Sequence, residues 1–460
     1  MNAITNLQSL LGADVVHGPN EADFSRHKGD FLSTMPEHIQ LLGAAYPRTT
    51  QEVSAILKAC HAANIPVTPQ GGMTGLAGGG VPAVASLVLS LERMRTIEEI
   101  DPAASTMTVQ AGVVLETVQK AAEDADLFFP LDLGGRGSAR IGGNAATNAG
   151  GNRVLRYGMM RELVLGLEVV LADGTIVTSM NKMLKNNAGY DTKHLFIGSE
   201  GTLGVITRLV LRLFPKPRSV NTGLVAVKDF AAVLELLKHA KAGLGPNLSA
   251  FETMWPVFYH IGTTELGRTP PIPHGHGVYV LIETLGTDPE SDQTRFEETI
   301  AGAIEAGVVE DAVVAKSQKE STDLWNIRDC PGEFTKVFWP QMSFDVSMST
   351  GDIGAAMEDI EKRLKTRWPE MRTVFFGHIA DSNLHLSVKL GDGAMPEHDI
   401  EEEVYRAVGD WKGSISAEHG IGTIKRPFLH YSRSPEELGL MRTLKAALDP
   451  KGILNPGKVL

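Results

Sequence analysis

Pro69-Gln-Gly-Gly-Met-Thr-Gly-Leu-Ala-Gly-Gly-Gly80 is the stretch on which the fold turns. A second glycine run follows it, Gly134-Gly-Arg-Gly-Ser-Ala-Arg-Ile-Gly-Gly-Asn-Ala-Ala-Thr-Asn-Ala-Gly-Gly151. Glycine lets a ligand come close to the backbone and lets N–H groups turn inward as an anion nest. Two such loops suit a ligand that carries a pyrophosphate and a flat ring. Tight turns are the plainer alternative, and two loops together weigh against it. Neither G-x-G-x-x-G nor G-x-x-x-x-G-K-[ST] occurs, so the Rossmann and Walker loops are excluded. The residues alone stop at a phosphate-bearing ligand.

The rest of the chain frames these loops. The 460 residues include 48 glycines and carry a net charge of −12, without the basic footprint that nucleic acid requires. Cys60 and Cys330 form neither a CxxC pair nor a disulfide framework. The N-terminus, MNAITNLQSLLGADVV, lacks a basic region followed by an apolar one, so a cytoplasmic location is expected, with peripheral membrane association left open. No run of 18 apolar residues occurs to span a bilayer.

Apolar spacing predicts a helix over 50–64 capped by Thr50, then a strand over 65–68 leading into the first loop. Strands are expected over 86–94 and 107–113, a helix over 116–125, and two strands within 162–177 joined at Ala172-Asp173-Gly174. Prolines at 215 and 217 mark a boundary. Beyond them helices (229–242, 292–306, 352–366) alternate with strands (277–284, 373–378, 384–390), and the charged run 391–403 leads into a helix. The alternation makes the chain α+β, and the family resemblance given below implies its full organisation: a two-part ligand-binding domain over 1–214, a substrate (cap) domain with an antiparallel sheet over 215–419, and a segment over 420–460 returning to the first domain.

TVFFGHIADSNLHLSVKL (373–390) holds two histidines seven residues apart. In one strand they point to opposite faces. A hairpin with Asp381-Ser382 as its turn pairs residues whose numbers sum to 763, so His378 lies across from His385, close enough to share an ion. Asp-Ser is a poorer turn than Asp-Gly. Glu418, beside His419 in Ser416-Ala-Glu-His-Gly420, offers a third ligand. Two imidazoles and a carboxylate suit zinc first, with manganese or iron as alternatives. Taken singly, each histidine is more often a structural hydrogen-bonding residue.

VTPQGGMTGLAGG (67–79), FPLDLGG (129–135), GSARIGGNAATNAGG (137–151), YG (157–158), FIGSEGTLGVIT (196–207) and NPGK (455–458) together resemble the FAD-binding domain of the vanillyl-alcohol-oxidase type. The branch resembled contains D-lactate dehydrogenase, the flavin subunit of glycolate oxidase and D-2-hydroxyglutarate dehydrogenase. The resemblance implies FAD held by Pro69, Gly71, Gly72, Met73, Thr74, Gly75, Leu76 and Gly78 in the first loop. Pro130, Leu131, Ser138, Gly142, Gly143, Asn144, Thr147, Asn148, Gly150, Gly151 and Tyr157 follow in the second stretch. Glu200, Gly204, Ile206 and Asn455 complete the set. Some relatives attach flavin through a histidine in the first loop. Gln70 and Met73 stand there in this chain, so non-covalent FAD is expected.

The same resemblance (G-H-x-x-D-x-N-L-H with S-x-E-H-G) implies His378, His385 and Glu418 as metal ligands and His419 as base. It also implies that Arg328, in LWNIRD (324–329), holds the substrate carboxylate, a task that suits guanidinium geometry. The expected reaction is oxidation of a D-2-hydroxy acid to the 2-oxo acid, with electrons passing on to an electron-transfer flavoprotein, quinone or cytochrome. Ser343, Gly332 and Ser387 replace the lysine, threonine and asparagine of the 2-hydroxyglutarate branch, which weakens the case for a dicarboxylate. A flavin subunit of a multi-chain complex, D-2-hydroxyglutarate dehydrogenase itself, a metal-dependent hydrolase and a flavin-binding partner without turnover are the competing readings. A homodimer through 215–419 is left open.

Overall fold

The computed structural model describes residues 3–21 and 23–460. It divides into two compact units. One comprises residues 1–151, 158–216 and 418–460, and the other residues 152–157 and 217–417.

In the first unit, the apolar strands Val67–Gln70, Leu87–Ser90 and Gly43–Ala45 pair in parallel, with Val16–His17 antiparallel at the edge. The helix Thr50–Ala63 buries Val53, Ile56, Leu57 and Cys60. Its cap is Thr49, whose side chain accepts the Glu52 N–H. Thr50, the expected cap, lies one residue inside the helix instead, and its hydroxyl donates to Glu168 Oε1 at 2.6 Å. A five-stranded antiparallel sheet has the strand Val205–Arg212 at its centre. Its edge hairpin pairs Val164–Val170 with Ile176–Ser179, and Gly174 takes φ +87° in the turn. This is the Asp-Gly hairpin read from the sequence.

The second unit is built on one seven-stranded sheet in which every neighbouring pair of strands is antiparallel. The order is 311–314, 219–227, 278–286, 248–254, 372–377, 383–389, 342–347. The helices Phe230–Leu244, Pro289–Glu305 and Ile353–Arg367 fall where helical spacing put them, and Glu397–Asp410 follows the charged run. The strands Val278–Gly286 and Leu248–Met254 are buried at every residue, as central strands are. A core of Met254, Phe258, Tyr259, Phe334, Phe338 and Phe376 packs on this sheet.

The hairpin of strands Arg372–Gly377 and Asn383–Lys389 exists, but its turn and register differ from the expectation. Phe376 pairs with His385, not His378. After Gly377 the chain leaves the ladder: His378 precedes a 3-10 turn over Ile379–Asp381, and Ser382 takes φ +75°. Asp-Ser cannot close a two-residue turn cheaply, so a longer loop does so. The His378 carbonyl closes it, accepting the N–H groups of Asp381 and Asn383 at 3.2 and 3.1 Å. The two histidine rings still meet, edge to face, with centroids 5.4 Å apart.

Candidate active site

The glycine loops lie together in the first unit. A Cβ on Gly72 would fall 2.0 Å from the Ser138 carbonyl oxygen, so the two loops touch backbone to backbone. Gly71 faces Gly143 with only backbone and short side-chain atoms nearby. Asn144 is buried, and its side-chain oxygen has no hydrogen-bond partner in the protein. Non-glycine residues in the left-handed region cluster at this cradle: Met73, Asn148, Glu200 and Asn455, with φ of +54°, +51°, +52° and +43°. Strained backbone of this kind persists where the surrounding structure enforces it for a ligand or a mechanism. An orphaned buried acceptor needs a donor, which a hydroxyl or ring N–H of a nucleotide cofactor supplies, and the interlocked glycine backbone lets such a group come close.

Several expected flavin residues serve structure directly. Thr147 donates to the Gly143 carbonyl, and Asn148 accepts the Arg161 N–H at 2.9 Å. Asn455 donates to the carbonyls of Gly79 and Glu200 at 2.9 and 2.7 Å. Gly204 lies against Val169 and Phe196, and Ile206 is buried in a strand. Gly78 donates its N–H to Asp30. Tyr157 belongs to the 152–157 segment of the other unit.

The segment that begins at Glu418 is tied to these loops twice. Gly151 donates its N–H to Glu418 Oε2 at 3.0 Å, and Glu200 accepts the N–H groups of Ile421 and Gly422 at 2.7 and 2.8 Å. The expected base, His419, is held between these anchors. Burial pushes the Glu200 carboxyl above its ordinary value, against those two N–H groups. Burial also lowers Lys458 to about 8, against the pull of Glu200 and Asp30.

In the second unit, Glu252 is the focus. It is 1% exposed, near the end of the apolar strand Leu248–Met254. Thr253 pairs with Gly377, so continuing the ladder sets Glu252 across from His378. Glu252 Oε1 accepts from His378 Nδ1 at 2.7 Å and Oε2 from Arg328 Nε at 2.8 Å. Arg328 Nη2 lies 3.4 Å from His378 Nε2. Arg328 also sits over the Phe376 ring, which stacks on His385. Burial pushes the Glu252 carboxyl up, but His378 and Arg328 together pull it below the usual carboxylate value.

Asp345 is fully buried on the strand Met342–Ser347, directly paired with His385. Its carboxylate accepts from Asn383 at 2.8 Å and from the Ala417 N–H at 3.1 Å, which fixes the residue before Glu418. Among the described residues, the side chains able to hold a metal ion are Asp345, His385, Glu418 and His419. This set of imidazoles and carboxylates suits zinc, manganese or iron alike. His378 is not in it; both its ring nitrogens face Glu252 and Arg328.

Sequence reasoning missed Glu252 and Asp345. The available signal was an acidic residue inside an otherwise apolar strand, in LSAFETM and SFDVS, since a buried carboxylate needs partners. Neither cysteine takes part: burial raises both thiols to about 12.

Residues 216–459 match the family described as FAD linked oxidases, C-terminal domain, and residues 42–179 match the one described as FAD binding domain. A mitochondrial D-2-hydroxyglutarate dehydrogenase of Bos taurus is 42% identical over 99% of this chain and 82% of its own length. A mitochondrial protein of Schizosaccharomyces pombe, named as a D-lactate dehydrogenase whose assignment is itself provisional, is 38% identical over 98% and 88%. The crystal structure of p-cresol methylhydroxylase with substrate bound has the same fold, with a TM-score of 0.79 and 18% identity over 99% of this chain and 96% of its own. The mitochondrial naming of both relatives overturns the cytoplasmic expectation, which rested on the N-terminus alone. No helix among the described residues is long and apolar enough to cross a membrane.

Proposed function

This chain belongs to the FAD-linked oxidase family, and from that premise we propose that it oxidises a D-2-hydroxy acid to the 2-oxo acid. The observation that carries the proposal is the pairing of Arg328 and His378 on Glu252, with Arg328 Nη2 3.4 Å from His378 Nε2. A 2-hydroxy acid carries its carboxylate and its hydroxyl on adjacent carbons. A guanidinium beside an imidazole matches that spacing.

In this reading Arg328 uses Nε on Glu252 and turns its terminal amino groups to the substrate carboxylate, a charge-assisted pairing. His419 takes the hydroxyl proton as general base. The anchors from Gly151 and Glu200 hold the segment that carries it. FAD, when bound in the glycine cradle, supplies the two-electron acceptor for oxidation at C2. A divalent ion, when bound, supplies Lewis acidity toward the hydroxyl; His385 and Glu418 would hold it, with Asp345 or His378 completing the set, and zinc is the first candidate. An electron-transfer flavoprotein, quinone or cytochrome would receive the electrons.

The relatives' names point to D-2-hydroxyglutarate or D-lactate. Ser343 and Ser387, whose hydroxyls lie 3.2 Å apart, offer no cation for a distal carboxylate, and this favours a shorter or uncharged side chain. Anaerobic addition of a panel of D- and L-2-hydroxy acids tests the reading. Flavin absorbance should bleach with D-acids only. A protein without flavin absorbance, or one bleached by no member of the panel, would sink it.

A further inference from the structure

We propose that His27 is a positioning residue for the cofactor: acting through the Gln70 side chain, it closes the two ends of the first glycine loop on one another in the shape that receives FAD. The inference rests on that loop holding FAD and not on which hydroxy acid is oxidised. His27 precedes residues 42–179, the stretch that matches the FAD binding domain, and so lies outside that match.

The hydrogen bonds leave one assignment. Gln70 ends the strand Val67–Gln70 and opens the loop, and it is buried. Its amide nitrogen donates to the His27 carbonyl at 3.0 Å and to the carbonyl of Gly80, at the far end of the loop, at 2.8 Å. Both partners can only accept, so the amide cannot be turned over, and its oxygen faces His27 Nδ1 at 2.6 Å. Nδ1 therefore carries the ring proton. Burial lowers the imidazole from its ordinary value, against the bond to Gln70 and with the charge of Arg26, so the ring is neutral near pH 7. Nε2 then accepts from the Tyr46 hydroxyl at 2.8 Å. Both ring nitrogens are engaged, and His27, 3% exposed, acts on the loop through Gln70.

A histidine satisfied within the core is the plainer alternative. Further contacts tie the same N-terminal segment to the same loop. Asp30 accepts the Gly78 N–H at 2.9 Å, and Phe31 donates its N–H to the Gly75 carbonyl at 3.3 Å. Met73, at φ +54° inside the loop, packs on a cluster that includes Phe24 and Tyr46. Gln70 joins the loop's two ends with a side chain that His27 orients. Without the Nδ1 donor, the Gln70 oxygen is left buried and unpaired, and the amide turns toward another partner and releases Gly80. FAD must then reclose the loop out of its own binding, and its apparent affinity falls with the fraction of chains already closed.

Substitutions at His27 separate the roles of the two ring nitrogens. In His27→Asn the amide nitrogen takes the place of Nδ1 and still donates to Gln70. In His27→Gln it takes the place of Nε2, and Gln70 loses its donor. The full-length protein is stripped of FAD, and FAD is titrated back while its fluorescence is followed. The Kd should rise about 10-fold or more in His27→Gln and in Gln70→Met, and stay within about twofold of wild type in His27→Asn. The double variant His27→Gln/Gln70→Met should bind no more weakly than Gln70→Met, because one contact can be lost only once. Additive losses, wild-type affinity in His27→Gln, or a loss in His27→Asn equal to that in His27→Gln would overturn the proposal. If His27→Gln does not fold, Gln70→Met carries the test: weaker FAD binding supports the clamp, and wild-type affinity overturns it. A wild type that takes up no FAD overturns the cofactor assignment and the clamp with it, whereas equal affinities across flavin-binding variants overturn the clamp alone.

Discussion

Glu200 Oε1 accepts the backbone N–H of Ile421 at 2.7 Å, and its second oxygen accepts that of Gly422 at 2.8 Å. An acid on a flavin-type loop thus holds the backbone two residues past the expected base, His419. Removing it leaves two N–H groups without acceptors, at a cost of about 1–3 kcal/mol each. Glu200→Ala should slow flavin reduction by roughly 10-fold or more, since 1.4 kcal/mol is a factor of ten, with a smaller change in KM. Stopped-flow reduction by substrate measures this. An unchanged rate in a variant with full FAD content would show that the segment holds its place without Glu200.

Two neighbouring glycine loops make opposite predictions. A Cβ at position 72 would strike the Ser138 carbonyl oxygen at 2.0 Å, and neither backbone can yield easily. At Gly143 the nearest atom would be Gly71 Cα, at 3.9 Å. Gly72→Ala should therefore purify with little or no FAD. Gly143→Ala should keep its flavin unless the isoalloxazine or phosphate lies within van der Waals reach of that carbon. Absorbance per chain at the flavin maximum compares them; full flavin in Gly72→Ala would show that the loops can part.

Lys458 gives a pH dependence with a definite sign. Its ammonium is buried and falls from 10.5 to about 8. Between those values the unfolded chain binds the proton that the folded chain has released, so folding stability rises with pH across the window. Below about 8 the buried charge is carried in full. The contribution is on the order of 3 kcal/mol. Thermal melts of the wild type and Lys458→Met from pH 7 to 10.5 should show the wild type gaining on the variant above pH 8. A constant difference would mean that Lys458 keeps its proton throughout.

Periodicity located these elements because their stability is local or one-sided. Helix 50–63 repeats Val53, Ile56, Leu57 and Cys60 on one face, and the 164–179 hairpin carries its Asp-Gly turn. Strand 248–254 was illegible, since residues buried on both faces do not alternate. The hairpin at 372–389 was half legible: apolar runs revealed the strands, but the turn was fixed by the His378 carbonyl, a backbone acceptor that no residue type announces. For the same reason the ladder placed Phe376 opposite His385, and the contact of the two histidines came from a loop instead. Glu252 stayed hidden because its meaning depends on a register between strands 248–254 and 372–377, more than a hundred residues apart.

The hydroxyl pair at Ser343 and Ser387 bears on which substrate side chain is accepted. These residues face one another on paired strands, one step along the same face from Asp345 and His385. Any substrate group reaching them meets two neutral hydroxyls. A second carboxylate would meet no cation there to offset the water it gives up against the buried Ser387. Ser343 is exposed, so a longer side chain can replace it without crowding the core. Ser343→Lys should then raise kcat/KM for D-2-hydroxyglutarate by about 10- to 100-fold, the worth of a hydrogen bond to a charged group. It should leave D-lactate nearly unchanged, because D-lactate has nothing to offer the new ammonium. The ratio of the two specificity constants, before and after the substitution, is the measurement. A wild-type ratio already strongly favouring D-2-hydroxyglutarate, with no gain in the variant, would mean that the distal carboxylate is bound elsewhere and that Ser343 does not face it.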